Sequence, residues 1–168
     1  MGFFDKLFGG KAKDENTSKF TNQSKTILTP LQGKVLAQAD IPDETFAQGI
    51  LGPGCGIEPT GDTVYAPFDG TVTQIATTLH AVGITSNDGI ELLIHVGMDT
   101  VDMKGQGFTA LVKEGQKVTA GTPLLKVDLD AVRAAGHPTA TAIIVTDGAG
   151  DEVKMLAEGD VAPGTPLF

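Results

Sequence analysis

At 168 residues, with 40% apolar side chains and no tryptophan, the chain is long enough for one domain with a sizeable core. Its net charge of −9 is uneven, with +2 on residues 1–25 and −11 on residues 26–168. The acidic body excludes a nucleic-acid binder, which needs a basic face. No apolar run approaches the roughly 20 residues of a membrane-spanning helix, no signal-peptide core is present, and the single Cys55 excludes an intrachain disulfide framework. The cytoplasm is the expected compartment.

The first segment, MGFFDKLFGG, places Phe3, Phe4, Leu7 and Phe8 on one helical face and stops at Gly9 and Gly10. The polar stretch that follows reads as a flexible linker. Residues 1–25 are thus expected to form a tail, and the apolar face with Lys6, Lys11 and Lys13 suits weak contact of residues 1–13 with the inner face of an anionic membrane. An untidy terminus is the bland alternative.

From residue 26 onward the pattern is one of short strands and glycine turns. Strands are predicted at Gly33–Gln38, Gly56–Pro59, Thr63–Ala66, Gly70–Ile75, Ala81–Thr85, Glu91–His95, Lys117–Thr119, Pro123–Val127, Ala142–Thr146 and Pro166–Phe168. DLDAVRAAG reads as a helix capped by Asp128 and stopped by Gly136, and DETFAQG as a short turn capped by Asp43. FTALVKEG suggests a further helical turn, and GPGCG a turn around Cys55. Two internal echoes stand out: TPLQGKV with APFDGTV, and LVKEGQKVTAGTPLL with LAEGDVAPGTPLF. The expected class is all-β, an antiparallel β-sandwich or flattened barrel with an internal pseudo-repeat and one or two short helices.

Two histidines, His80 and His95, flank the turn Ser86–Gly89 at similar distances. In an antiparallel hairpin the two imidazoles can be cross-strand neighbours, whereas a one-residue slip would separate them. The pair could be metal ligands, a nucleophile with its hydrogen-bonding helper, or two structural histidines. The third histidine, His137, precedes a proline and reads as a loop residue. No HExxH or CxxC motif accompanies them.

APFDGTV, HAVGI and ELLIHVGMDTVDMKGQGF, in that order, resemble the glucose-type Enzyme IIA of the bacterial phosphoenolpyruvate-dependent sugar phosphotransferase system, and IPDETFAQGILGPGCGIEPTGDTVYAPFDG and EGQKVTAGTPLL follow the same pattern. The resemblance covers residues 26–168. It implies a phosphocarrier that takes a phosphoryl group from phospho-HPr on His95, through Nε2, and passes it to a cysteine of the Enzyme IIB domain of a sugar permease. His80 would steady the phosphoryl group, Thr78 would orient His80, and the Gly97 carbonyl would fix the His95 tautomer. Asp43, Thr45, Phe46, Leu51, Leu93, Asp99 and Val101 would form an apolar docking face rimmed by acids. No cofactor is required; zinc bridging His80 and His95 with a partner carboxylate is allowed by the family. Unphosphorylated, the protein would bind transporters or glycerol kinase as enteric members do. Ala76, Leu79, Leu93 and Thr45 depart from the enteric pattern, which bears on the regulatory contacts more than on phosphotransfer.

Two other groups share the texture. Biotinyl and lipoyl carriers need a lysine at a hairpin tip, and Lys104 in DMKGQG lacks that setting. Lysostaphin-type metallopeptidases need HxxxD and HxH ligands, which are missing. A non-catalytic β-module is the remaining alternative.

Overall fold

A computed structural model describes residues 26–148 and 153–168. The tail predicted over residues 1–25 lies outside the described residues. Eleven strands are present among them: β1 Gly33–Leu36, β2 Gly54–Pro59, β3 Thr63–Tyr65, β4 Gly70–Ile75, β5 Ala81–Ser86, β6 Glu91–His95, β7 Phe108–Ala110, β8 Lys117–Val118, β9 Pro123–Val127, β10 Thr141–Asp147 and β11 Asp160–Val161. Two short helices, α1 (Glu44–Ala47) and α2 (Leu129–Ala134), complete the set. Both start on the predicted aspartates: Asp43 accepts from the Phe46 N–H at 3.2 Å, and Asp128 from the Ala131 N–H at 3.0 Å.

Strands are antiparallel throughout and form an eight-stranded sheet, order β11-β1-β2-β10-β6-β5-β4-β8, and a three-stranded sheet, order β3-β9-β7. The two enclose the main core, with Ile57, Phe68, Ile84, Leu92, Ile94, Leu125 and Ile143 almost wholly buried. Each such side chain contributes on the order of 1.5–3 kcal/mol by leaving water. The large sheet ends in β11 and β8 and is not closed, so the sandwich form of the expectation holds and the barrel form does not.

The order of the large sheet reads as two mirrored halves, and the register agrees. Gly33 pairs with Val161 as Gly70 pairs with Val118. The Leu28 N–H donates to the Pro67 carbonyl, and the Tyr65 N–H to the Pro30 carbonyl. The dyad passes through the Ile143–Ile94 pair, since Ala142 faces His95 where Leu93 faces Ile144. It relates β2 to β5 and Gly56 to Gly83. The two sequence echoes are this symmetry, seen in its outer strands.

Four local expectations need correction. Phe108–Ala110 is strand β7, paired with β9, because buried Phe108 and exposed Thr109 alternate with period two. Cys55 lies inside β2 rather than in a turn, packed in the core. Pro166–Phe168 forms no regular strand: Leu28 bridges Pro166, and Ile27 exchanges backbone hydrogen bonds with Leu167 and Phe168. The strand from Gly33 ends at Leu36, since Gln38–Asp40 turns into a 3-10 segment.

Candidate active site

The hairpin β5–β6 forms as predicted, closed by Gly89 in the left-handed region and by the Gly89 N–H donating to the Ser86 carbonyl at 3.0 Å. Its register, however, sets Ala81 and not His80 opposite His95. On a regular pleat that slip would send the two imidazoles to opposite faces. They meet nonetheless, ring centres 4.7 Å apart and nearly perpendicular at 83°. The reason is that His80 lies just outside β5, after a turn over Ala76–Leu79 in which Leu79 takes φ 64°. A left-handed leucine is uncommon and breaks the alternation there.

His95 ends β6 between two methyl groups, Ala81 on β5 and Ala142 on β10. On this face sits a second, smaller apolar cluster of Ile41, Phe46, Met98, Ala142 and Ile144, with Leu93 against it. The Phe46 ring lies 4.9 Å from the His95 ring, tilted 54°. Phe46 is only 6% exposed, so this residue of the predicted docking face packs beside the imidazole.

His95 Nδ1 lies 2.8 Å from the Gly97 carbonyl oxygen. A carbonyl can only accept, so Nδ1 must carry the proton, and in the neutral ring Nε2 is left with a free lone pair. His80 Nδ1 lies 2.7 Å from Thr78 Oγ1. Burial pushes the pKa of both rings below the ordinary imidazole value; for His80 the neighbouring His95 adds to this. For His95 the Gly97 hydrogen bond and the charges of Asp43 and Asp99 pull upward but do not overcome burial.

This yields a sign for pH. Below the ordinary value of ~6.5 the unfolded chain binds protons that the folded pair refuses, so stability falls as acid is added. An NMR titration of the His95 ring should therefore show its inflection below pH ~6.5, with Tm declining through the same range; an inflection at or above that value would contradict the neutral pair.

Gly97 holds its carbonyl in place through a turn with φ 74°. A Cβ there would meet Thr100 Cγ2 at 2.5 Å and the Pro138 carbonyl oxygen at 3.0 Å. Thr100 is itself fixed, its hydroxyl donating to the Val96 carbonyl at 2.6 Å. Gly97→Ala should cost about 1–2 kcal/mol from the left-handed backbone alone, more with the clash. Thermal melting reads the stability loss, and 15N shifts of His95 should show a mixed tautomer.

The remaining predicted residues spread around this centre. Asp43 is half-buried and caps α1; Thr45, Leu51, Asp99 and Val101 are exposed, and Leu93 is half-buried. Asp99 takes a left-handed conformation at the start of the 3-10 turn Thr100–Met103, which presents Val101 at 51% exposure. His137 is a loop residue, as read. Sequence reasoning missed Ile50, at 67% the most exposed of the large apolar residues among the described residues, which stands next to Leu51. It also missed Gln38, whose Nε2 donates to the carbonyls of Phe46 at 2.9 Å and Gly52 at 2.8 Å while its Oε1 accepts from the Gly54 N–H at 3.2 Å. That side chain pins the α1 loop onto β2, and no local pattern announces it. Burial raises the Cys55 thiol to about 12, so it is inert at neutral pH.

Among the described residues no group of three or more His, Cys, Asp or Glu side chains could hold a metal ion, and no helix is long and apolar enough to cross a membrane. This antiparallel sandwich presents a neutral imidazole with a free Nε2 lone pair beside a second imidazole, an arrangement open to nucleophilic chemistry. The family model of the phosphoenolpyruvate-dependent sugar phosphotransferase system, EIIA 1, matches residues 25–150. The glucose-specific EIIA component of Halalkalibacterium halodurans is 47% identical over 146 residues, covering 86% of this chain and 83% of that protein. The glucose-specific EIICBA component of Staphylococcus carnosus is 42% identical over 142 residues, 84% of this chain but 21% of that larger protein. The solved structure of glucose permease IIA from Mycoplasma capricolum superposes with a TM-score of 0.80 at 33% identity, covering 84% of this chain and 92% of that one. The chain belongs to the EIIA family of the sugar phosphotransferase system, as a glucose-type Enzyme IIA, a phosphocarrier.

Proposed function

We propose that His95 is the phosphoacceptor, receiving its group from phospho-HPr and delivering it to a cysteine of an Enzyme IIB domain. The observation that carries this is the Nδ1 to Gly97 carbonyl contact, which leaves His95 Nε2 as the nucleophile. The Nε2 lone pair attacks phosphorus, a new N–P bond forms, and the bond to the donor imidazole breaks with its electron pair returning to that ring. In delivery the cysteine thiolate attacks phosphorus and the N–P electron pair returns to His95 Nε2. Nδ1–H stays on the Gly97 carbonyl throughout.

His80 stabilises the phosphoryl group. With the Thr78 hydroxyl donating to Nδ1, the His80 proton sits on Nε2 and can donate to a phosphoryl oxygen. Asp43 and Asp99 would meet basic residues on a docking protein, and Thr45, Leu51, Leu93 and Val101 would supply apolar contact. A phosphoryl charge of about −1.5 to −2 on that face would disfavour partners that bury it, which supports regulatory binding of transporters or metabolic enzymes by the unphosphorylated form alone. The relatives that carry EIIA in one polypeptide with B and C components support an Enzyme IIB partner. Zinc would fit only in a docked complex: His95 Nε2 and, once its proton moves to Nδ1 so that Nδ1–H donates to Thr78 Oγ1, His80 Nε2 would be two ligands, and a four-coordinate site needs the rest from a partner. The reading is tested by incubation with phosphoenolpyruvate, Enzyme I and HPr. An acid-labile mass increase on the peptide containing His95 is expected; a modified His80 or no modification would overturn the assignment.

A further inference from the structure

Five glycines lie in strands: Gly33, Gly54, Gly56, Gly70 and Gly83. Four of them are demanded by space. A Cβ would meet backbone or side-chain atoms at 2.2 Å from Gly33, 2.0 Å from Gly54, 2.9 Å from Gly56 and 2.1 Å from Gly70. Gly83 is different. Its φ is not positive, and the nearest atoms to a Cβ, on Gln74 and Thr73, are 3.5 Å away, an ordinary contact. Glycine inside a strand weakens it; β4 carries a register shift between Val72 and Gln74 opposite Gly83, an irregularity at which glycine is common, but no neighbour fills the space a side chain there would take.

The pseudo-dyad supplies a comparison. Gly83 is the mate of Gly56, and the bare backbone of Gly56 is where Ile41 seats, its Cγ1 at 2.9 Å from a Cβ built there. Ile41 comes from the long connection, residues 37–53, between β1 and β2. The matching connection between β4 and β5 is only residues 76–80 and carries Thr78 and His80 in place of a cover. The chain thus fills one of two related seats. The other, bounded by Gly83, Leu93 and Gln74, is left open next to His95, since Gly83 pairs with Leu93 two residues along from the Ala81–His95 pair.

We propose that Gly83 is the floor of a docking seat that receives a branched aliphatic side chain of the protein exchanging the phosphoryl group, as Gly56 receives Ile41. The seat rests on the phosphocarrier reading and adds to it a residue that sets partner fit without touching the transferred group. A branched aliphatic occupant follows from the shape of the filled mate and from the apolar Leu93 wall.

The test uses the full chain with Gly83→Ala, Gly83→Val and Gly83→Leu. All three should melt at or above the wild-type temperature, because the strand has room for the side chain. Labelling of His95 by phosphoramidate, a small donor that needs no docking, should be unchanged. With phospho-HPr as donor, KM should rise with side-chain size, about tenfold or more for Gly83→Leu, while kcat changes little. A wild-type KM in Gly83→Leu would overturn the seat, as would an equal loss in all three variants or a matching loss with phosphoramidate. A wild-type protein labelled by phosphoramidate but not by phospho-HPr would overturn the phosphocarrier reading, and the seat with it.

Discussion

His95→Gln should take up no phosphoryl group from phosphoenolpyruvate, Enzyme I and HPr, a loss of at least about a thousandfold against the wild-type protein. The amide nitrogen of glutamine has no lone pair available for attack, whereas the neutral ring presents one at Nε2. The substitution should leave the fold standing. His95 ends its strand between Ala81 and Ala142, partly exposed, and the main core lies on the other face of the sheet. A folded protein with unchanged melting and no label isolates the chemistry from the scaffold. A His95→Gln protein that still becomes labelled would show that another group accepts the phosphoryl.

His80→Gln should separate receipt from delivery. Acceptance depends on the His95 lone pair, which the Gly97 carbonyl sets free without help from His80. Delivery differs because the attacking cysteine is an anion approaching an already negative phosphoryl group. A donor aimed at those oxygens then matters most; glutamine keeps an N–H but loses the ring that Thr78 holds in place, and losing an aligned donor costs on the order of 10²–10³-fold. Labelling from phospho-HPr should therefore stay within a few-fold of wild type, while transfer of isolated label to an Enzyme IIB domain drops by that factor. Equal losses in both directions would make His80 a structural neighbour instead. Thr78→Val should reproduce part of the delivery defect, since it removes the 2.7 Å contact to His80 Nδ1.

The sequence made the strand pattern readable wherever one face was buried and the other wet, as in Gly70–Ile75, Glu91–His95 and Pro123–Val127, whose bounds hold to the residue. The same alternation ran through FTAL, but the glycine and charges after it masked a three-residue strand. The imidazole pair was legible for an incomplete reason. Symmetry about the turn brought His80 and His95 close in the chain, yet the actual register is one residue off. The left-handed Leu79 restores the meeting. Asparagine would tolerate that conformation better; the leucine here packs against the core. Gln38, Ile41 and the Pro138 carbonyl were not legible because each acts on residues distant in sequence, through contacts that no periodicity encodes. The dyad was half visible. Its outer strands repeat in sequence, but its inner ones share only glycine and β-branched residues, which many strands carry.

The unequal connections bear on traffic. Residues 37–53 lay Ile41 and Phe46 on one half of the sheet face, whereas the matching connection is only residues 76–80, so both partners would approach His95 from the same open side. Donor and recipient would have to take turns, and between visits the carried group would wait alone on the ring. Its lifetime would then depend on how well a small, dry surround keeps water from a labile bond. Phe46 beside the imidazole and the alanine methyls on either side would be that surround, so the side chains that steady the histidine would also act as the clock on its cargo.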